Sequence, residues 1–318
     1  MHTQKIAAVT VTYNRLKRLM VMLERTLAEE LDYVVVVNNN STDGTAVWLD
    51  SLTDTRLHVL HLAENSGGAG GFHAGFKYIH DNLAVDWLVC FDDDAWPEKG
   101  AIRQFRQLKL HNDVGAVTAC VNLPSGKISG MNRPGYSPFR SFSSFLRTML
   151  QGSKGFHIAD DAYKAGNIVP VDWCSFVGCF IKCSIIPEKV GYPQKELFLY
   201  SDDVMYTLRI TAKGYAVVFV PDIVFYHDCE TIDQSKKVYK PLWKAYYTYR
   251  NGLLMYRTLS GVLYPLIASI KIMLWISYVP YYVEKRRYLF VVFNAVKDGL
   301  FNNVSRSHRE ILQICGTE

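Results

Sequence analysis

Residues 87–94 read Trp-Leu-Val-Cys-Phe-Asp-Asp-Asp, five apolar side chains running straight into three carboxylates. The apolar run predicts a buried strand. Charges crowded at its end are costly, because like charges repel and burial disfavours ionisation. A cation that takes oxygen ligands from two of them removes that cost. A strand has side-chain period two, so Asp92 and Asp94 are expected on one side and Asp93 on the other. Two same-side carboxylates can hold one divalent ion with open positions, and such an ion suits a diphosphate. The plainer alternative is an acidic loop with Asp94 capping a helix near Pro97.

Working outward, the chain before this stretch alternates strands and helices. Strands are predicted over 6–12, 33–37, 57–62 and 87–91. Helices are predicted over 15–29, where Leu16, Leu19, Met20, Leu23 and Leu27 keep helical spacing, and over 45–52. A glycine-rich turn at 67–71 opens a third helix through Tyr78. This series predicts an α/β fold, a mostly parallel central sheet flanked by helices. Ligands then bind beyond the carboxyl ends of the strands. Asn14, the loop 38–44, Asn65 and the aspartates all fall at such ends.

The pattern changes after Asn122. Residues 114–122 read as a strand, 124–167 as a long loop or lid, and 171–181 as apolar strand again. Residues 202–213 read as a helix closed by Gly214, and 216–225 as a strand followed by Tyr226-His227-Asp228. From Pro241 the chain is helical, aromatic and basic. Residues 262–282 approach the length of a membrane span, but Lys271 lies at their centre and Pro265 and Pro280 interrupt them. With Glu284-Lys285-Arg286-Arg287 next, the expectation is an interfacial or oligomer-forming helical region rather than a span. An ordinary buried helix hairpin is the alternative. The expected domains are 1–235 and 236–318.

At 318 residues the chain can bury one large core or two modest ones. Aromatic content is high at 13%, with 20 tyrosines, which suggests a binding cleft or a membrane-facing surface. The net charge of +5 is too mild to argue for nucleic acid. Seven cysteines form no C-x-x-C pair and are read as reduced thiols of a cytoplasmic protein. The N-terminus leads directly into a strand, so no secretory leader is expected.

The cluster 65–75 (NSGGAGGFHAG) fails the dinucleotide fingerprint, since His73 stands where the third glycine belongs, and no P-loop lysine follows. What remains is either backbone that lets a ligand approach, with Gly70 at its centre, or a tight strand-to-helix turn. Asp202 suits a helix N-cap. Asp203, in the first turn, is favoured in ionised form by the helix dipole and can accept a proton from a hydroxyl. His227 at a strand end offers a nitrogen ligand beside the two aspartates, which favours a Mn-like ion.

The series VTYNR, VVVVNNNSTDGT, ENSGGAGGF, CFDDDA, YSDDVMYTLRITAKGY and VPDIVFYHD resembles an inverting family 2 glycosyltransferase of the GT-A fold. The glycine element, the triple aspartate and the Asp-Asp helix look most like galactofuranosyltransferases, with rhamnosyltransferases as near relatives. The likeness runs from about Ile6 to Arg250 and takes in residues 246–251 (YYTYRN).

That resemblance implies a Mn²⁺ or Mg²⁺ ion on Asp92, Asp94 and His227. It places Thr12, Asn14, Arg15, Asn38, Asn65, Gly70 and Asp93 at the donor, with Arg15 a candidate for the phosphates. It makes Asp203 the catalytic base, Asp202 the holder of acceptor hydroxyls, and Trp173 the surface on which an acceptor sugar stacks. Many relatives carry Asp where this chain has Asn38. An amide oxygen can still accept from a uracil ring, but without the charge.

The implied activity is transfer of galactofuranose from UDP-galactofuranose to a glycan or glycolipid, at the inner face of the cell membrane, with peripheral membrane contact and possible homo-oligomerisation. The alternatives are dTDP-rhamnose as donor, a non-catalytic nucleotide-sugar-binding subunit, and a nucleotidyltransferase. The last would require basic residues in the glycine cluster, which has none before Lys77.

Overall fold

The computed structural model of the chain describes residues 4–229 and 238–316. The expected boundary at 235/236 lies outside the described residues. The chain divides into two compact units, Met1–Lys195 with Asp203–Glu230, and Glu196–Asp202 with Thr231–Glu318.

The first unit begins β1 (Ile6–Thr12), α1 (Leu16–Leu27), β2 (Tyr33–Asn38), α2 (Thr45–Asp50), β3 (Leu57–His61), α3 (Gly67–Asn82) and β4 (Trp87–Cys90). It continues with β5 (Ala95–Pro97), α4 (Ala101–Gln107), β6 (Val114–Asn122), α5 (Phe142–Gln151), β7 (Val169–Val171), β8 (Cys179–Lys182), α6 (Asp202–Ala212) and β9 (Ala216–His227). One sheet holds all of these strands in the order β3-β2-β1-β4-β8-β6-β9-β5, with β7 also on β9. β5, β7 and β8 run against the other six.

Alternation builds the two faces of the sheet. Ala8, Val34, Val36 and Val89 point towards Leu19, Met22 and Leu23 of α1 and Phe105 of α4. Val9, Val35, Val37 and Leu88 point towards Phe72, Phe76 and Ile79 of α3 and Tyr206 and Ile210 of α6. Strands covered on both faces must be apolar throughout, which is why β2 is a run of valines.

Two expectations are corrected and one alternative is set aside. Gly67–Gly71 are the first turns of α3 itself, not a turn before it. Asp94 caps no helix, because Ala95–Pro97 pair with β9 and α4 starts only after Gly100. The segment 124–167 is not all loop, since it contains α5, although no residue of that helix is buried.

The helical glycines set how closely α3 lies on β1. A Cβ at Gly71 would fall 2.3 Å from Val11 Cγ1, and one at Gly75 2.5 Å from Val9 Cγ2. In an exposed helix, Gly→Ala stabilises by about 0.5–1 kcal/mol. Here Gly71→Ala is expected to destabilise by about 1–2 kcal/mol, because forcing α3 off β1 outweighs the helix-propensity gain. A urea midpoint that moves down rather than up checks the sign.

In the second unit, α7 (Trp243–Ser260), α8 (Tyr264–Ile276), α9 (Lys285–Leu300) and α10 (His308–Cys315) enclose an aromatic core. Tyr249 stacks on Trp275 at 4.4 Å and Tyr282 on Tyr288 at 3.8 Å. The buried hydroxyls are paired, with Tyr246 donating to Asp298 at 2.6 Å and Tyr288 to the Trp275 carbonyl at 2.7 Å. Much of the tyrosine excess is therefore core rather than cleft. Trp243–Tyr281 is long and apolar enough to cross a membrane by length and composition alone. The α-helical geometry is interrupted at Gly261, where φ is +50°. The described cysteines are free thiols.

Candidate active site

The ends of β1, β4 and β9 converge. Pairing of β5 with β9 sets Ala95 opposite His227, and the Asp228 N–H donates to the Asp94 carbonyl at 2.8 Å. His227 Nε2 then lies 3.2 Å from Asp94 Oδ1 and 3.8 Å from Asp92 Oδ2. One ligand atom from each of Asp92, Asp94 and His227 falls within 4.8 Å of the others. Asp93 turns away, accepting from Thr12 Oγ1 at 2.8 Å and Arg15 Nη1 at 2.7 Å. The expected division of the three carboxylates holds, although they occupy the turn after β4 and not the strand itself.

Two arginines neutralise part of this charge. Asp94 Oδ2 forms an ion pair with Arg15 at 3.0 Å and accepts from Arg18 at 2.9 Å, and Arg18 also donates to the Asp228 carbonyl. Burial pushes Asp94 up, but the His227 hydrogen bond, the charge of Arg15 and the Arg18 hydrogen bond overcome it and hold the carboxyl below the usual range. Burial raises Asp93 despite Arg15. Asp92 sits in a cleft that water still reaches. Desolvation there, reinforced by Asp94, Asp93 and Asp203 and opposed by His227, pushes its carboxyl up to about 7. Burial would lower His227, but its hydrogen bond to Asp94 and the charge of Asp92 raise it.

The donor set fits a divalent cation. Asn132 Oδ1 accepts the Ser129 hydroxyl at 2.7 Å, and its amide nitrogen donates to Ser175 Oγ at 3.0 Å. His227 Nδ1 lies 2.8 Å from Asn132 Oδ1, a contact that the tautomer carrying its proton on Nδ1 satisfies. Nε2 is thereby aimed at the two carboxylates, the arrangement that orients a ligating histidine. Two carboxylate oxygens and one imidazole nitrogen suit Mn²⁺ or Mg²⁺ and leave positions open.

Asp203 lies in the first turn of α6. Its carboxylate accepts from the Val204 N–H at 2.7 Å, with the Phe176 N–H as a further donor. Burial nevertheless raises it, and its charge is felt at Asp92. Residues 173–176 form a strap beside it. The Cys174 N–H donates to Thr207 Oγ1 at 3.2 Å, Ser175 meets Asn132, and Phe176 meets Asp203. The base candidate and the residue that orients His227 therefore share one rigid segment. Trp173 opens the strap, half-buried and edge-on to His157 at 5.2 Å. Gly135 permits this, since a Cβ there would lie 2.6 Å from the indole.

Asp202 belongs to the second unit and ends a loop in which Phe198, Tyr200 and Ser201 have φ of +63°, +71° and +64°. Buried side chains of α7 hold that loop. Asn251 Nδ2 is within 3.0 Å of the carbonyls of Leu197, Leu199 and Tyr200, and Arg250 donates to those of Glu196 and Leu197.

The remaining donor candidates are tied into the scaffold. Asn14 Oδ1 accepts from the Thr42 N–H at 2.7 Å. Asn38 accepts from the Ser41 N–H through its oxygen and meets His61 through its nitrogen. Asn65 Oδ1 accepts from Asn39 and from the Gly67 N–H. Gly70 is buried, and a Cβ there would lie 2.5 Å from the Ser66 side chain, so protein packing accounts for the glycine. Sequence reasoning missed Arg18, Asn39 and Asn132. Arg18 was findable, three residues after Arg15 on the same helix face. Asn132 lies within the presumed loop and carries no local signal.

The description of glycosyl transferase family 2 matches residues 7–169, half of the chain. The chain belongs to glycosyl transferase family 2. This glycosyltransferase is 24% identical over 265 residues to galactofuranosyltransferase GlfT1 of Mycolicibacterium smegmatis, covering 79% of this chain and 82% of that protein. It is 26% identical over 268 residues to the dTDP-rhamnosyl transferase RfbF of Shigella flexneri, covering 79% and 80%. Among solved structures, Staphylococcus aureus TarS 1-349 aligns over 94% of this chain and 82% of its own, with a TM-score of 0.53 at 14% identity. Mannosyltransferase PcManGT of Pyrobaculum calidifontis, in complex with GDP-Man and Mn²⁺, aligns over 99% and 80%, with a TM-score of 0.52 at 16% identity. The family 2 enzyme thus has the GT-A fold of these neighbours.

Proposed function

We propose that this enzyme is a metal-dependent inverting galactofuranosyltransferase. It would transfer galactofuranose from UDP-galactofuranose to a hydroxyl of a lipid-linked cell-surface polysaccharide, working peripherally at the cytoplasmic face of the membrane. The convergence of Asp92, Asp94 and His227, with Asp203 within electrostatic reach, is the observation that carries the reaction type. The similarity to GlfT1 across four-fifths of both chains supports the sugar.

Mn²⁺ or Mg²⁺ held by Asp92, Asp94 and His227 would neutralise charge on the leaving diphosphate. Asp93 fixes Thr12 and Arg15 beside that group, and Asn132 fixes the imidazole. Asp203 takes the proton of the acceptor hydroxyl as its oxygen attacks the anomeric carbon from the face opposite the leaving group. Burial raises its proton affinity, which suits a base. Trp173 and Asp202 hold the acceptor. The catalytic domain is assigned to residues 1–235, and the remainder to membrane-proximal or oligomer contacts.

A second reading, dTDP-rhamnose as donor, is favoured by the likeness to RfbF. Donor hydrolysis with Mn²⁺ separates them. UDP released from UDP-galactofuranose, and not from UDP-galactopyranose, is the expected result. Release of dTDP from dTDP-rhamnose in its place overturns the sugar and leaves the reaction class standing.

A further inference from the structure

Residues 238–297 carry nine Lys and Arg side chains against one carboxylate, Glu284. Subtracting these from the chain's 35 basic and 30 acidic residues leaves the rest of the molecule net negative, 26 against 29. This stretch alone can account for the chain's net positive charge, although Asp298 of α9 lies just beyond it and residues 114–159 carry five further Lys and Arg with no carboxylate. The same stretch exposes large apolar side chains. On α9, Arg286, Phe290, Phe293 and Lys297 follow each other at intervals of four, three and four, one stripe of a helix. Phe290 is 54% exposed and Phe293 64%, while Tyr288, Val291 and Ala295 face the core. On α8, Leu266, Ile270 and Met273 form a matching outer stripe. Cations and apolar groups also open onto one space, since Val283, Lys285, Arg286, Arg287, Phe290 and Ile314 line a concavity of about 790 Å³ in which Glu284 is the one carboxylate. Arg287 is paired with Glu284 at 3.4 Å, whereas Lys285 and Arg286 have no ion-pair partner among the described residues.

We propose that the second unit docks on an anionic bilayer surface through α8 and α9, with Lys285 and Arg286 at the headgroups and Phe290 and Phe293 at the acyl boundary. This deepens the lipid-linked acceptor reading and rests on it for its biological purpose, though not for its physics. Basic and apolar contacts act together at such a surface, and neither alone holds a protein there firmly. A membrane span is disfavoured. Helix α8 has thirteen residues, about 20 Å of rise, against a hydrocarbon core of about 30 Å. The Lys271 ammonium at its centre is turned onto the Tyr256 ring at 4.8 Å. A second copy is disfavoured too, because a self-complementary interface here would set cations against cations. A patch almost free of carboxylates matches anionic lipid.

The experiment is flotation of the full chain with phosphatidylcholine vesicles, with and without 30% phosphatidylglycerol. Binding only to the anionic vesicles is expected, weakened about tenfold or more by 0.5 M NaCl or by the pair Lys285→Glu and Arg286→Glu. The pair Phe290→Ser and Phe293→Ser is expected to weaken it about as much. The pair Phe142→Ser and Leu150→Ser is expected to leave it unchanged. That last pair lies on α5, within another carboxylate-free stretch, residues 114–159, in the first unit.

Absence of flotation, equal binding to neutral vesicles, or loss only in the α5 pair overturns the docking surface. So does a salt-stable dimer that the α9 substitutions dissolve, or wild-type protein that resists alkaline extraction from membranes. Donor hydrolysis in solution, run on the same samples, keeps the two readings apart. Turnover without flotation removes the docking surface alone, and flotation without turnover of any donor removes the transferase reading alone.

Discussion

Asp203→Asn is expected to lower kcat by about 10²–10⁴-fold while leaving Mn²⁺-dependent UDP binding near its wild-type value. The amide keeps the size of the side chain and can still accept from the Val204 N–H that anchors the carboxylate at 2.7 Å. The helix start should therefore survive. What disappears is the lone pair basic enough to take a proton. Asp94→Asn supplies the contrast. Asp94 meets His227 at 3.2 Å, Arg15 at 3.0 Å and Arg18 at 2.9 Å, so its neutral amide should weaken Mn²⁺ and UDP binding together. Calorimetry of UDP with and without Mn²⁺, alongside turnover with acceptor, reads both variants. If Asp203→Asn keeps more than a tenth of wild-type turnover, the base is another group. If Asp94→Asn still binds Mn²⁺ as tightly as wild type, the two arginines are the natural neutralisers of the carboxylates.

The sheet was legible because its strands are buried on both faces. β1 runs from Ile6 to Thr12 as expected, and β2 and β4 differ from expectation by one residue. The site was legible where it sits at the ends of those strands, as Asp92, Asp94 and His227 do. Elements that owe their form to partners were not. β5 is three residues long, contains Pro97 and exists by pairing with β9. The glycines of α3 looked like ligand-facing backbone, yet Gly71 and Gly75 answer to Val11 and Val9, a contact that no local pattern in the sequence reports. Asn132 was invisible for the same reason, since its meaning comes from His227, ninety-five residues further on.

Asn251→Ala is expected to destabilise the second unit by about 3 kcal/mol. One side-chain amide faces the carbonyls of Leu197, Leu199 and Tyr200 at 2.8–3.0 Å. Alanine removes this donor from the Leu199 and Tyr200 carbonyls in a largely buried place, while the Leu197 carbonyl keeps Arg250. The loop cannot relax at little cost, because Phe198, Tyr200 and Ser201 are held in the left-handed region, where non-glycine residues cost about 1–3 kcal/mol each and persist only under restraint. Arg250 already serves Glu196 and Leu197 and lies over the rings of Tyr246 and Tyr247, so it holds the first part of the loop and not its end. Urea unfolding followed by the fluorescence of Trp243 and Trp275 should show the loss. A change below about 0.5 kcal/mol would mean that Phe198, stacked on Tyr247 at 4.8 Å and on His308 at 4.1 Å, holds the loop by itself. Because the same loop ends at Asp202, the residue immediately before the proposed base, the folded variant should also lose kcat with acceptor more than affinity for donor. Loosening residues 196–201 would free Asp202, the proposed acceptor-side carboxylate, and leave Asp92, Asp94 and His227 where β4 and β9 hold them.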